Sequence, residues 1–315
     1  MSKLFIIGNG FDIAHGLPTS YDDFRKYLCN TYMNNKCEVN TMPIIPTVSV
    51  GSKGEEICDM EEVANFFVYI ISEAELDGNK WSDVEASLGR LDYDEAFEML
   101  PEEFDDDSDI NYWSESYDNE DVASNLYSVV VYVKELFAEW VENIDIKVAS
   151  AKSSFFTLLK SDDIFLMFNY TETLEDLYKV NKESVCHIHG RQGENILFGH
   201  GDANDYTDEY MRKNIGSENS LTELNNFLKK DTEKALEDNE QFFDGINNTI
   251  REVYSIGFSF ACVDLIYIRE ICEKLPDNAV WYLNKFNPND IPIFTNIQKK
   301  LKECGFKGSF STFII

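Results

Sequence analysis

The fold is decided near the start of the chain, by Leu4-Phe5-Ile6-Ile7-Gly8-Asn9-Gly10-Phe11-Asp12. The first four residues form a continuous apolar run, which is typical of a strand buried on both faces of a parallel sheet. The glycines that follow allow a tight turn whose backbone amides can approach a phosphate, next to the positive start of a helix. Alone, this strand and Gly-x-Gly pattern fits a purely structural turn equally well. Asp12 can either hold a ribose hydroxyl or cap the next segment.

Short apolar runs that end in glycine or polar residues recur along the rest of the chain. Helical periodicity separates them, starting with a helix predicted from about Thr19. Apolar strands alternating with helices predict an α/β, Rossmann-like fold, in which a mainly parallel sheet carries helices on both faces. The further predicted strands are Ile164–Phe168, Val185–Ile188, Ile196–Phe198, Val253–Ile256, Ala279–Leu283 and Ser311–Ile315.

The sequence predicts one elaborated domain over residues 1–315, with an acidic helical insertion at 55–160 and a mostly helical insertion at 204–250. Residues 55–121 hold 24 acidic and 2 basic residues, a net charge of −22 out of −31 for the chain. A solvated exterior explains this charge more simply than a docking site for a basic partner does. The insertion could still serve as a lid or an assembly surface. Its predicted parts are helical stripes at 63–74, 81–91 and 122–140 and an acidic loop at 101–119.

Charge and composition exclude several classes of protein. A net charge of −31 disfavours general nucleic-acid binding and attraction to anionic membranes. Seven scattered cysteines without a Cys-x-x-Cys pair predict neither a disulfide framework nor a structural zinc site, and suggest a reducing compartment. The first apolar run is too short for a signal peptide, and no run reaches membrane-spanning length. These features together predict a cytoplasmic protein.

Polar and glycine-rich clusters fall at the ends of the predicted strands. Ligands of doubly wound sheets bind beyond the carboxyl ends of the strands, so these clusters predict one shared pocket. The four histidines of the chain support it, because His187, His189 and His200 lie at predicted strand ends and His15 follows the first turn. The clusters are Gly8–Asp12, Asn169–Thr171, His187–Gly190, Gly199–Gly201 and Gly257–Ser259.

Asn169, His187 and His189 each allow a functional and a structural interpretation. The Asn169 amide can bond a ribose hydroxyl or orient a water, or it can simply end the strand in a turn. His187 and His189 are two residues apart, so on a strand they would point the same way. They could bind a metal, although no third ligand has suitable spacing, or act as a general base. For His187, deeper in the strand, a hydrogen-bonded packing role is favoured.

Two carboxylates outside these clusters have equally open interpretations. Glu85 lies one helical turn after Trp81 and beside Leu88, so it belongs either to the rim of the core or to the pocket. Ser259 and Asp264 flank a predicted helix start, where capping fully explains Asp264.

With these residues in view, the chain resembles the bacteriophage abortive infection AbiH family. The opening turn, with Thr19-Ser20-Tyr21 and Phe24 downstream, is the most specific match. The resemblance extends from residue 4 to about 270, with unmatched insertions between. The other matching motifs are Trp81-x-x-x-Glu85, Phe168-Asn169-Tyr170, His187-Ile188-His189-Gly190 and Gly257-Phe258-Ser259 with Asp264.

The order of the strand-end motifs is also similar, more distantly, to the sirtuin-like NAD-binding fold. That resemblance implies Asn169 and His189 as a catalytic pair. The zinc cysteines of sirtuin deacylases are absent, so protein deacylation is not expected. Two departures concern the pose of NAD. His200 stands where the Phe-Gly motif of sirtuins, here Phe198-Gly199, continues with an acidic residue, and Asp12 replaces the usual small residue after the first turn and would repel a diphosphate. The nucleotide-binding residues that we predict are Gly8, Asn9, Gly10, Phe11, Asp12, Tyr170, Gly190, Gly257 and Ser259, with His15, Glu85, His187, His200 and Asp264 as further pocket candidates.

These resemblances imply an antiphage effector that binds a nucleotide, with NAD as the leading candidate, and cleaves its N-glycosidic bond. NAD would be the substrate of this hydrolase rather than a true cofactor. The alternative is a non-catalytic nucleotide sensor or an interaction module of a defence system. A third hypothesis is a metal-dependent hydrolase that uses His187, His189 and Asp12. The expected partners are a small-molecule nucleotide and either a second copy of the chain or a phage-derived trigger.

Overall fold

The computed structural model describes residues 2–35, 37, 39, 41–53, 56–76, 80–100, 111–285 and 291–315. The chain divides into two compact units. Unit 1 comprises Met1–Ser20, Val141–Leu197 and Asp231–Ile315, and unit 2 comprises Tyr21–Trp140 and Phe198–Lys230. Unit 2 therefore begins at Tyr21, well before the insertion predicted at 55–160.

Regular elements alternate along the described chain. The strands are β1 (Leu4–Ile7), β2 (Ser49–Val50), β3 (Glu56–Ile57), β4 (Ile164–Met167), β5 (Val185–His187), β6 (Glu252–Ile256), β7 (Val280–Asn284) and β8 (Ser309–Phe313). The helices are α1 (Gly10–Ala14), α2 (Tyr21–Thr31), α3 (Met60–Ala74), α4 (Val84–Leu88), α5 (Asp94–Glu98), α6 (Tyr112–Val130), α7 (Tyr132–Glu142), α8 (Ser153–Phe156), α9 (Thr173–Tyr178), α10 (Thr207–Lys213), α11 (Glu218–Leu228), α12 (Thr232–Asp238), α13 (Glu240–Gly245), α14 (Leu265–Lys274) and α15 (Ile291–Glu303). Short 3₁₀ helices occur at Ile146–Val148, Lys182–Ser184 and Cys262–Asp264.

Unit 1 is built on a parallel sheet of six strands in the order β5-β4-β1-β6-β7-β8. Counted along the chain, this is the doubly wound order 3-2-1-4-5-6. The α/β, Rossmann-like fold predicted from the sequence is therefore confirmed. The strand order reverses between β1 and β6, and ligands of such sheets bind at this switch point.

Helices cover both faces of this sheet because alternate residues of each strand point to opposite sides. One face buries Phe5, Ile7 and Phe165 against helices α1, α8 and α9. The other face buries Leu4 and Ile6 against helices that include α13, α14 and α15. The near-continuous apolar runs of the sequence follow from burial on both faces.

Most of the predicted strands of unit 1 are confirmed within one or two residues, but the strand predicted at Ile196–Phe198 is wrong. The structure shows only an isolated bridge near this segment, between His200 and Lys229. Phe198 is buried, but it stacks on the ring of Phe137 at a centroid distance of 3.8 Å and joins no sheet. An apolar run of three residues predicts that the segment is buried, but it does not predict whether a sheet or a helix covers it.

Unit 2 is mainly helical and includes α2 to α6, most of α7, α10 and α11. The stripe predicted around residues 63–74 is helix α3. The stripe at 81–91 is helical only over α4, because Trp81 has a φ of 45° and Asp83 caps the helix at the Ala86 amide. The predicted acidic loop is wrong from residue 112 onward, where α6 begins, capped by Asn111. Its residues 101–110 lie outside the described part of the chain.

The structure also contains a disulfide that the sequence does not predict. Cys29 and Cys37, both in unit 2, are bonded. This pair departs from the expectation of fully reduced cysteines. Across the described ranges, no helix combines the length and apolarity that crossing a membrane requires.

Candidate functional site

The loops that follow β1 and β6 lie backbone against backbone. The Gly8 amide donates to the Ile256 carbonyl and the Gly10 amide to the Gly257 carbonyl, each at 3.0 Å. A Cβ atom on Gly257, whose φ is 61°, would lie 2.5 Å from the carbonyl carbon of Gly10. The Phe11 amide donates to Gly8 as well, at 2.9 Å. The turn after β1 is thus hydrogen-bonded to the loop after β6 at the switch point. The amides of Gly8, Gly10 and Phe11 already donate to carbonyls of the protein itself.

Asp12 lies beyond the end of β1, in the short helix α1, and is only 1% exposed. Its Oδ2 accepts a hydrogen bond of 2.5 Å from the Thr171 hydroxyl, which is 2.9 Å from the hydroxyl of Thr173. Its Oδ1 has no hydrogen-bond partner. Burial raises the pKa of Asp12 from 3.8 to about 6, although both threonines, the Asn169 amide and the charge of His187 lower it.

Asn169 follows β4 directly and faces the same cluster. It is 3% exposed, and within the described part of the chain neither Oδ1 nor Nδ2 has a hydrogen-bond partner. The amide lies close enough to Asp12 to lower the pKa of that carboxyl, although its Nδ2 makes no hydrogen bond of ordinary geometry to any residue that the structure describes. Buried amides are nearly always paired, so this side chain points to a function other than ending a strand.

His187 and Glu175 form a buried pair beside this cluster. His187 ends β5, and its Nε2 lies 2.7 Å from Oε1 of Glu175 on α9. This contact agrees with a hydrogen-bonded packing role for His187. The other ring nitrogen of His187 and Oε2 of Glu175 have no hydrogen-bond partner.

The side chain of His189 does not point the same way as that of His187, so the prediction that the two rings lie on one face of the strand is wrong. β5 ends at His187, and the Gly190 amide donates back to the His187 carbonyl, which closes a turn between them. The ring of His189 lies 5.1 Å from that of Phe168, and its Nε2 lies 3.3 Å from Oδ1 of Asp264. Asp264 precedes α14 but makes no side-chain capping bond, so capping does not explain it.

The remaining predicted residues of unit 1 are less closely tied to this cluster. His15 bonds the Phe11 carbonyl at 2.7 Å and the Tyr178 hydroxyl at 2.5 Å, and burial lowers its pKa. It therefore acts as a neutral structural link. The Tyr170 hydroxyl donates to the Leu197 carbonyl at 3.3 Å. Ser259 is exposed, and the Asn9 side chain donates to the Thr19 carbonyl.

His200 and Glu85 both belong to unit 2. Nε2 of His200 lies 3.0 Å from the Asn225 carbonyl, Nδ1 accepts from the Asp202 amide, and burial lowers its pKa. Glu85 is paired at 2.8 Å with Lys230, whose side chain is 1% exposed. A carboxylate on an apolar helix face needs such a partner.

The four histidines are thus divided between different surroundings rather than gathered around one ion. In the residues that the structure describes, no group of three His, Cys, Asp or Glu side chains could hold a metal ion. The geometry gives no support to a metal site formed by His187, His189 and Asp12.

Comparison with known protein families identifies the family of this chain. The model of the family described as "Bacteriophage abortive infection AbiH" matches residues 4–285. The chain belongs to the AbiH family. This confirms the resemblance seen in the sequence and implies a role in phage abortive infection. Neither a curated protein nor a solved structure matches the chain, and the sirtuin-like resemblance is not confirmed.

Sequence reasoning missed several polar partners in this AbiH protein. Thr173 and Glu175 escaped notice, although the polar run Asn169–Thr173 directly after an apolar strand was a usable signal. Lys230 gave no signal, because its partner Glu85 is distant in the sequence.

Replacing Lys230 of this AbiH protein by methionine should lower the free energy of unfolding by about 3 kcal/mol, because it leaves the mostly buried Glu85 carboxyl group without its partner. Urea unfolding measures the change. The double variant Lys230→Met with Glu85→Gln should recover part of the loss. An equal loss in the single and double variants would contradict this account.

Proposed function

We propose that this AbiH protein is an antiphage effector that binds a nucleotide at the carboxyl ends of β1 and β4 and cleaves its N-glycosidic bond. NAD is the leading substrate. The observation that carries the proposal is the set of unpartnered, buried polar atoms on Asp12 and Asn169. Each such atom costs about 1–3 kcal/mol when it stays unpaired, so a bound group that satisfies them explains why they are tolerated.

The reaction breaks the bond between ribose C1′ and the nicotinamide ring nitrogen. The electron pair of that bond stays on the nitrogen and neutralises its positive charge, while the ribose becomes an oxocarbenium ion. Ionised Asp12 and the carbonyl dipole of Asn169 stabilise this charge. A water oxygen then bonds to C1′, and Asp12 accepts the proton that the water loses. The products are nicotinamide, ADP-ribose and a proton.

The environment of Asp12 suits this role. With a pKa of about 6, its carboxylate is mostly ionised at pH 7 yet remains able to take up a proton. The carboxylate faces Thr171 and Asn169 rather than the amides of the Gly-x-Gly turn. This supports a position beside the sugar, where the negative charge stabilises the transition state, and away from the diphosphate.

His189 supports the same reaction from the neighbouring strand end. The Asp264 carboxylate lies 3.3 Å from Nε2 of His189, and we propose that its charge orients the imidazole in the bound state, in the manner of a base held by a carboxylate. The rings of Phe168 and Tyr170, on either side of Asn169, lie 5.1 and 6.4 Å from that of His189. We assign His189 to a ribose hydroxyl, from which it accepts a proton or a hydrogen bond.

Once activated, the purified wild-type protein should release nicotinamide from NAD, and Asn169→Ala should lower that rate about 10²-fold. Chromatographic detection of nicotinamide measures both rates. The matched control is Asn119→Ala, since Asn119 is a buried amide of unit 2 that is satisfied by the Ile215 carbonyl. That variant should lose stability and keep its turnover.

The proposal fails if the wild type shows no more turnover than Asn169→Ala across nucleotides and activators. Saturable nucleotide binding without turnover, together with phage protection that survives His189→Ala, would instead support the non-catalytic sensor.

A further inference from the structure

A cavity of about 170 Å³ lies at the carboxyl ends of β6 and β7, on the neighbouring side of the switch point. The described residues that line it belong to unit 1 and carry no charge. Its lining includes Ser255, Phe258, Phe260 and Asn284 on the sheet side and Phe294 and Ile297 of α15.

Asn284 is the unusual member of this lining. It ends β7 and is 5% exposed, and among the residues that the structure describes neither its Oδ1 nor its Nδ2 has a hydrogen-bond partner. The other polar side chain, Ser255, is already bonded to the indole nitrogen of Trp281 at 2.6 Å. A buried amide with both atoms free, in apolar surroundings, calls for a group that supplies one donor and one acceptor side by side.

We propose that this cavity is a base-binding subsite that takes the adenine ring of a nucleotide, with the Asn284 amide pairing to the edge of the base. Asparagine pairs with adenine through two hydrogen bonds, to N6 and N7. Phe258, Phe260 and Phe294 supply aromatic surfaces on which a base packs. The uncharged lining suits a neutral base and not a phosphate, and the volume accommodates one ring system rather than a whole dinucleotide.

This subsite rests on the proposed function, because it completes the same nucleotide site. Asn169 follows β4 and Asn284 ends β7, with β1 and β6 between them. Neighbouring strands lie about 4.8 Å apart, so these two sheet ends are separated by roughly 14 Å. A dinucleotide bridges such a distance with its diphosphate, which would place the reacting ribose near Asn169 and the adenine near Asn284.

The test measures binding of two probes to the full-length protein by calorimetry. AMP contains adenine, and nicotinamide mononucleotide does not. Asn284→Leu should weaken AMP binding about 10- to 100-fold and leave nicotinamide mononucleotide binding unchanged. The thermal midpoint should not fall, because leucine removes two unpartnered polar atoms. Ile297→Trp, which fills part of the cavity from α15 and leaves Asn284 in the sequence, should weaken AMP binding in the same way.

The subsite is wrong if the wild type does not bind AMP, if Asn284→Leu binds AMP as the wild type does, or if both probes weaken equally. Nicotinamide release separates this outcome from the proposed function. Turnover of NAD with AMP binding that is indifferent to Asn284 would remove the subsite alone. AMP binding that depends on Asn284, without any nicotinamide release, would keep the subsite and remove the proposed cleavage.

Discussion

Replacing Asp12 by asparagine should lower the rate of nucleotide cleavage about 10³-fold and, at pH 7, make the protein more stable. The rate falls because asparagine carries no negative charge to stabilise the oxocarbenium ion and cannot accept the proton of the attacking water. The stability rises because the substitution removes an ionised group from a site that is 1% exposed. The Thr171 hydroxyl can still donate to the asparagine oxygen.

The direction of the pH effect follows from the pKa of Asp12, which rises from 3.8 to about 6 on folding. Between these values the folded protein binds more protons than the unfolded chain does, so stability falls as pH rises from about 4 to 6 and levels off above. The difference between the pKa values corresponds to about 3 kcal/mol at pH 7. Asp12→Asn should recover an amount of this order at pH 7 and little at pH 4.

Denaturant unfolding of both proteins between pH 4 and 8 measures this difference. Asp163→Asn is the matched control for turnover, because Asp163 is equally buried and burial raises its pKa as well, but its oxygens accept hydrogen bonds from the amides of Lys3 and Lys160. That variant should keep its turnover. If Asp12→Asn kept the wild-type rate, Asp12 would have no part in the reaction.

Replacing Gly257 by alanine should lower the free energy of unfolding by about 4 kcal/mol. Part of the loss comes from holding a residue with a side chain at a φ of 61°. The rest comes from overlap, since the new Cβ would lie 2.5 Å from the carbonyl carbon of Gly10 and 2.6 Å from its Cα. Backbone atoms cannot move aside without separating the loops that close the switch point.

Gly16→Ala separates the two contributions. Gly16 has a φ of 80°, but nothing lies within 4 Å of a Cβ placed there. This variant should therefore show only the conformational cost, about 1–2 kcal/mol. Thermal or urea unfolding compares the two variants. Equal losses would mean that the contact between the loops adds nothing.

The sheet could be predicted from the sequence because its strands carry a local signal. A buried parallel strand is apolar along its whole length and ends in glycine or polar residues, as Leu4–Ile7 and Ile164–Met167 do. The same signal failed at Ile196–Phe198, where Phe198 is buried by stacking on the ring of Phe137 and not by a place in the sheet. Hydrophobicity states that a residue is buried and does not state what covers it.

The pairing of polar side chains could not be predicted in this way. His187 and His189 lie two residues apart, yet one pairs with Glu175 of α9 and the other lies beside Asp264 before α14. A turn between them sends the two rings to different helices. No motif in the sequence marked Asn284 as a candidate. Its burial beside α15, with an amide that lacks hydrogen-bond partners among the described residues, is visible only in the structure.

The sequence by itself determined the parallel sheet, the close turn at Gly8–Asp12 and the family, because these depend on short patterns of apolar residues and glycine. Only the tertiary structure decided what that turn does. Its amides at Gly8 and Gly10 donate to the end of β6 and to the loop after it, and that of Phe11 donates within the turn. Oδ1 of Asp12, beside Asn169, has no hydrogen-bond partner among the described residues. Hydrogen-bond partners and burial arise from elements distant in the chain, so the chemistry of the turn depends on the folded protein.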